Sequence, residues 1–291
     1  MKSALKIVPG RTPDTRPLLE VDGLTKSFVT NGGRAAVLND VSFNVRRGEI
    51  VCVLGRSGCG KTTLLKLLAG FLPPDHGTIN LAGDPVTKPG PERGVIFQED
   101  ALFPWLTVRE NIAFGLRGRG QRGKTATGEV ERFLELVGLA GFGDYLPIEI
   151  SGGMKQRVAL ARVLIMHPEL LLLDEPFSAL DTQTREEMQD LLLMLSRQLS
   201  HSVLFITHDV EEAVLLADRI ILFDPACHGI CREIAVDLGR PRARRESGFS
   251  ALTREIVGLL KGHGNTTLSG RAIPKLFCGR SKSHSFSRPR D

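Results

Sequence analysis

Residues 55–62 read GRSGCGKT and fit the pattern G-x-x-x-x-G-K-[ST]; no other feature restricts the fold of this chain as tightly. The run before it, EIVCVL, is short, continuous and apolar, as in a strand buried on both faces. After it comes LLKLLAG, an apolar helix stopped by Gly70 and by Pro73 and Pro74. A glycine-rich loop in that setting lets backbone N–H groups curl around phosphate oxygens, and the helix N-terminus adds a favourable dipole. In such a Walker A loop Lys61 reaches the β- and γ-phosphates and Thr62 ligates Mg2+, while Gly55, Arg56, Ser57, Gly58, Cys59, Gly60 and Thr63 form the rest of the cradle.

The remainder alternates strand and helix signals. GVIFQ, LLLLDEP, SVLFITHD and RIILFD read as strands, and TQTREEMQDLLLMLSRQL and VEEAVLLAD as helices. In the longer helix Met188, Leu191, Leu192, Leu195 and Leu199 share one face. This alternation predicts an α/β core with a largely parallel sheet. Near the N-terminus, LLEVDGLTKSFV and AAVLNDVSFNVRRGE alternate like strands, with turns expected at Asp22-Gly23 and Arg47-Gly48. Between them and the later strands, residues 99–163 carry helical signals alone: TVRENIAFGL and GEVERFLELVGL, separated by the RGRGQRGKTATG loop. They predict a helical subdomain at the sheet edge.

A phosphate loop needs a carboxylate for its metal. Asp174 ends the apolar strand LLLLD, the Walker B position, and Glu175 follows it. Neighbouring strand residues face opposite sides, but where the chain turns Asp174 can face Mg2+ while Glu175 faces an attacking water as general base. A helix start, ISGGMKQRVALAR, lies about a hundred residues beyond the loop. Taken by itself it is an N-cap, with Ser151 accepting a backbone N–H. Beside a hydrolysed nucleotide, Ser151, Gly152 and Gly153 offer N–H donors to charge building on the γ-phosphoryl group.

That stretch resembles the signature of ATP-binding cassette (ABC) proteins, usually LSGGQ; here Ile150 replaces the leading leucine and Met154 the final glutamine. The full set of motifs follows in order: both Walker motifs, Gln98 at a strand end, SALD from Ser178 to Asp181, and His208 in ITHD. The resemblance covers about residues 18–245. It implies a P-loop NTPase fold with a RecA-like core, an antiparallel β subdomain and the helical subdomain. It also implies ATP hydrolysis with Mg2+ held by Thr62, Gln98 and Asp174. By position, Phe28 matches the aromatic that stacks on adenine, Gln98 the residue that meets Mg2+ and water and senses the transporter, and His208 the switch histidine. Asp181 falls among the nucleotide-site residues. In this family two cassettes face each other, and the signature of one closes over the ATP held by the other's Walker A loop, which explains its distance along the chain. Partners implied are a second copy, transmembrane permease subunits and, indirectly, a periplasmic solute-binding protein. The place implied is the cytoplasmic face of the inner membrane. ERGVIFQEDALFPWLTVRENIAFGL is similar to importers of the nitrate, sulfonate and taurine group, and AGDPVTKPGPERGVIFQ and MQDLLLMLSRQ lean toward the taurine type. Trp105, the only tryptophan, either borders the groove that receives a permease helix or lies in the core.

Charge and length bound the alternatives. From Arg240 onward twelve Lys and Arg face three acids, +9, so the rest of the chain carries −4 of the net +5. The body is therefore not a basic nucleic-acid binder. Residues 246–291 read as a basic, partly disordered extension, and 1–17 as a disordered leader with too short an apolar core for a signal peptide. No apolar run approaches the roughly 20 residues of a membrane span. Five cysteines, an odd number and mostly scattered, fit a reducing compartment. Cys227 and Cys231 in CHGIC lack the second ligand pair expected of a metal site. The competing reading is a soluble cassette ATPase outside transport. Translation-factor cassettes carry two Walker A loops where this chain has one; DNA-repair cassettes carry long insertions before the signature. A P-loop kinase or GTPase would leave the Ser-Gly-Gly stretch and His208 without a role.

Overall fold

The computed structural model describes residues 16–30, 33–97, 102–118 and 124–262. Its centre is a six-stranded sheet built around β3 (Ile50–Gly55), which is buried along its whole length. On one side of β3 lies β8 (Ser202–Thr207), then β7 (Leu170–Asp174) and β6 (Arg93–Ile96), all parallel. On the other lie β9 (Arg219–Asp224), parallel, and β10 (Gly229–Ala235), antiparallel to β9. Successive side chains on a strand face opposite ways, and the continuous apolar runs therefore feed two cores. Cys52, Leu173 and Phe205 face one, packed by helices α2 (Val108–Gly118), α3 (Lys124–Leu136), α4 (Gly152–Leu164), α5 (Thr182–Leu199) and α6 (Val210–Leu216). Val53, Leu172 and Ile206 face the other, with α1 (Lys61–Leu68) and a four-stranded antiparallel sheet. That second sheet orders β2 (Gly33–Val45), β1 (Leu19–Thr30), β4 (His76–Leu81) and β5 (Asp84–Pro85).

The α/β expectation holds. Among the described residues of 99–163 there are helices and turns but no strand. Three local readings change. Asp22-Gly23 is not a turn. β1 runs through it with a register shift between Val21 and Leu24, and Gly23, at φ +59°, bonds through its N–H to Ser42 Oγ at 2.8 Å. A left-handed glycine here makes a bulge in a continuous strand. The RGRGQRGKTATG loop is shorter than expected, because α3 already begins at Lys124. Its middle lies outside the described residues, as do most of the leader and everything past residue 262.

The third change is at the C-terminal side. Helix α7 (Ser247–Gly262) buries Phe249 and Ile256 in the first core, so the folded body continues past residue 245. Phe249→Ala is expected to lower the unfolding free energy by about 3–5 kcal/mol, read from urea denaturation. A loss under 1 kcal/mol would mean that α7 is only loosely attached.

Candidate active site

The loop between β3 and α1 is shaped by glycine where other residues would not fit. Gly60 stands at φ +98°, and a Cβ there would press on Val37 and Leu38 of β2. A Cβ on Gly55 would come within 2.6 Å of the Phe223 carbonyl oxygen. Lys61 is buried, and its ammonium lies inside the loop, donating to the carbonyl oxygens of Gly55 at 2.7 Å and Arg56 at 2.9 Å. A cation held by neutral carbonyls inside its own loop can exchange them for phosphate oxygens. Cys59 is buried beneath the loop, while Arg56 and Ser57 are exposed at its rim.

Parallel pairing brings the carboxyl ends of β3, β8 and β7 together, the usual place for ligands in such sheets. Asp174 ends β7 with its carboxyl nearly buried. Burial pushes that carboxyl above its usual range, a hydrogen bond from the Thr62 side chain opposes the push, and nearby Glu175 adds to it. Glu175 turns the chain at φ +45°, a costly conformation for a residue with a side chain. Its N–H bonds the Ile206 carbonyl at 3.0 Å, and its own carbonyl accepts from Ser178 Oγ at 3.0 Å. The kink turns the chain directly after Asp174, so that Asp174 meets the Thr62 side chain while Glu175 meets His208. Glu175 Oε2 lies 3.1 Å from His208 Nδ1, which follows β8. His208 is 60% exposed and Glu175 21%.

Gly55, Arg56, Ser57, Glu175 and His208 line one open cavity of about 390 Å3. Its sixth lining residue, Leu260 of α7, was not among the sequence candidates. The Leu260 carbonyl accepts from Arg56 Nη2 at 3.2 Å. The spacing of Phe249, Leu252, Ile256 and Leu259 carries the helical period that marks this element.

Ser151, Gly152 and Gly153 open α4 elsewhere on the surface. They are not joined to this cavity; Ser151 and Gly153 line a separate hollow with Met154, Arg157, Thr184 and Glu187. Ser151 Oγ accepts from the Met154 N–H at 3.3 Å, a plain N-cap. The N–H groups of the first helical residues have no partner within a helix, so Gly152 and Gly153 keep donors for an outside anion. The two glycines differ. A Cβ on Gly152 would meet nothing within 4 Å, whereas one on Gly153 would run into Thr184 of the same chain.

Asp181 caps α5, accepting from the Thr184 N–H at 3.1 Å and the Thr184 hydroxyl at 2.7 Å. Those bonds, the hydroxyl first, hold its carboxyl below the usual range. Phe28 projects from β1, 39% exposed, with Lys26 Nζ 5.7 Å from its ring centre. It is therefore not a core residue of its strand. Gln98 lies outside the described residues. Trp105 is 72% exposed, which excludes the core reading. Its ring lies 5.7 Å from that of Phe103, which packs on Phe114 at 4.5 Å and under the Arg162 guanidinium at 5.4 Å.

Comparison with known proteins agrees with this arrangement. Residues 38–178 match the family model described as ABC transporter. The nitrate import ATP-binding protein NrtD of Synechocystis is 45% identical over 253 residues, 84% of this chain and 95% of that protein. The taurine import ATP-binding protein TauB of Burkholderia thailandensis is 49% identical over 220 residues, 76% of this chain and 85% of its own length. Among solved structures, the ATP-binding cassette MJ0796, described as a dimer in a post-hydrolysis state bound to ADP and Pi, superposes with a TM-score of 0.66. It is 28% identical, and the match covers 76% of this chain and all of that one. The phosphate loop, the paired acids at the end of β7 and the Ser-Gly-Gly helix start thus occur in a chain that belongs to the ABC transporter family, as one of its ATP-hydrolysing, ATP-binding subunits.

Proposed function

We propose that this chain powers import of a small anion of the taurine, aliphatic sulfonate or nitrate type. It acts as a homodimer on the cytoplasmic face of the plasma membrane, beneath permease subunits fed by a periplasmic binding protein. The observation that carries this reading is the 45–49% identity to nitrate and taurine import proteins over most of their length. The ATPase does not contact the solute, so its choice rests with the partners.

Each residue has a task in hydrolysis. Lys61 leaves the carbonyls of its loop for the β- and γ-phosphates, and the N–H groups of residues 55–63 wrap them. Phe28 offers an exposed π-face to adenine. Thr62 and Asp174 fit a Mg2+ ion: they are hard oxygen donors already in hydrogen-bond contact, and a cation would offset the desolvation that raises Asp174. Gln98 completes that set by sequence. Bound there, Mg2+ would neutralise phosphate charge and align the β- and γ-oxygens. Glu175 accepts the proton of the attacking water, and His208 orients Glu175 and meets the γ-phosphate. Ser151, Gly152 and Gly153 of the second subunit donate N–H groups from across the dimer, with Asp181 at the same seam. His208→Ala is expected to lower kcat by at least tenfold, as for loss of a group that positions a general base. ATP affinity should stay within about threefold of the unmodified protein's; a wild-type turnover rate would remove His208 from the mechanism.

Trp105 and its aromatic neighbours form the seat for a permease helix. Exposed aromatic side chains suit interface anchors, and an apolar cavity lined by Phe97, Leu160, Arg162 and Phe177 adjoins Phe103 through Arg162. Trp105→Ala is expected to change stability by no more than about 0.5 kcal/mol, as for other exposed sites, while weakening recovery of the permease in co-purification. Unchanged permease recovery with a lowered melting temperature would reverse that assignment. The import function itself is tested by co-purification with candidate permeases, followed by solute-stimulated ATPase assay in vesicles. Failure of every sulfonate and nitrate permease to bind would favour a soluble role.

A further inference from the structure

The CHGIC stretch takes no part in nucleotide binding or in the aromatic seat around Trp105. Cys227 ends a short 3-10 turn after β9, and Cys231 lies near the start of β10. Two backbone irregularities bring them together. His228 takes a left-handed φ of +48° and folds the turn back. The β9–β10 ladder then shifts register between Ile230 and Arg232, leaving Cys231 as the extra residue of a bulge. A bulge re-aims its side chain. The two sulfurs stand 3.5 Å apart, both half-buried and both free thiols.

We propose that Cys227 and Cys231 are a redox modification site, a dithiol that closes reversibly to a disulfide by exchange with a small-molecule disulfide of the glutathione type. A sulfur separation of 3.5 Å needs about 1.5 Å of approach to reach bonding distance. The turn that carries both residues supplies that by side-chain rotation. The Cys231 thiol donates its hydrogen bond to the Cys227 sulfur and is held in its protonated form by burial, so Cys231 waits and the Cys227 sulfur attacks first. It bonds to one sulfur of oxidised glutathione and expels one glutathione thiolate. Cys231 then loses its proton, attacks the Cys227 sulfur and expels the second. Two protein thiols are oxidised, one glutathione disulfide is reduced to two thiols, and the two protons pass to the leaving thiolates. Burial, and after it the hydrogen bond with Cys227, push the Cys231 thiol up to about 12; capping Cys227 with glutathione removes its share of that push. In a reducing compartment such bonds are transient and respond to oxidants. The turn is also tied to the nucleotide end of the molecule. The His228 carbonyl accepts from the Asn39 N–H at 2.8 Å on β2, the strand whose Val37 and Leu38 would meet any Cβ placed on Gly60.

The test uses the full chain, unmodified and as Cys231→Ser. Each is incubated natively with oxidised glutathione, alkylated, digested and analysed by mass spectrometry. In the unmodified chain the peptide holding both cysteines should lose two hydrogens and escape alkylation, and dithiothreitol should restore two alkylation sites. The Cys231→Ser chain should stop at a glutathione adduct on Cys227. Full alkylation of both residues, a lasting glutathione adduct on Cys227 of the unmodified chain, or a bridge from either residue to another cysteine would each overturn the proposal.

Discussion

Glu175→Gln is expected to bind ATP with near-normal affinity and to hydrolyse it about 10²–10⁴-fold more slowly, the range for losing a positioned general base. The variant isolates proton acceptance because so little else at the position depends on charge. The left-handed kink at Glu175 is held by backbone bonds, from its N–H to the Ile206 carbonyl and from Ser178 Oγ to its own carbonyl. A glutamine keeps both bonds and the side-chain volume, and its amide can still bond His208. What it lacks is a basic oxygen for the proton of the attacking water. Lys61, Thr62 and Asp174 are untouched, so the phosphates and the Mg2+ site keep their partners. Phosphate release under saturating ATP, set beside equilibrium nucleotide binding, measures the two effects separately. A turnover loss under tenfold would mean that another group takes the proton. Lost ATP affinity would mean that the carboxylate serves binding rather than catalysis.

Much of the backbone around the candidate site was legible because it is made by short local patterns. A loop that needs left-handed backbone at Gly58 and Gly60 writes glycine into the sequence, and a strand buried on both faces writes a continuous apolar run. α5 was readable to its end residues because Asp181 caps it and the face of Met188, Leu192 and Leu195 is buried. The parts that stayed hidden depend on tertiary contacts. Nothing local to Asp22-Gly23 says that the strand continues through a bulge, because the partner that holds it, Ser42, lies on the next strand. β10 hid for a similar reason: its outer positions are exposed, and its apolar signal is weak. α7 has a clear helical period, but charged residues around it suggested a solvated tail, and only packing places Phe249 and Ile256 inside. The left-handed conformation of Glu175 was not foreseeable at all from a residue type that rarely adopts it.

The second large effect concerns the helix start at Ser151, and the structure decides which glycine tests it. Gly152→Asp, combined with Glu175→Gln, is expected to abolish an ATP-dependent dimer while leaving ATP binding by the monomer within about twofold of the single variant. Gly153 is the poorer choice, since any Cβ there would strike Thr184 of its own chain and disturb the cap that Asp181 makes with that threonine. Gly152 faces open space. As the first residue of α4 it suits an acid, because a carboxylate in the first turn interacts favourably with the helix dipole by about 0.3–1 kcal/mol. The folded monomer should therefore be no less stable, and its melting temperature checks this. Across the dimer the same carboxylate would face the γ-phosphate of the partner's ATP, at the N–H donors meant for that charge. Two like charges in a site closed to water repel strongly, so the sandwich should not form. Size-exclusion chromatography with light scattering, with and without ATP, reads the outcome directly. Dimerisation of the double variant with ATP would reduce Ser151, Gly152 and Gly153 to a capped helix with no nucleotide to serve.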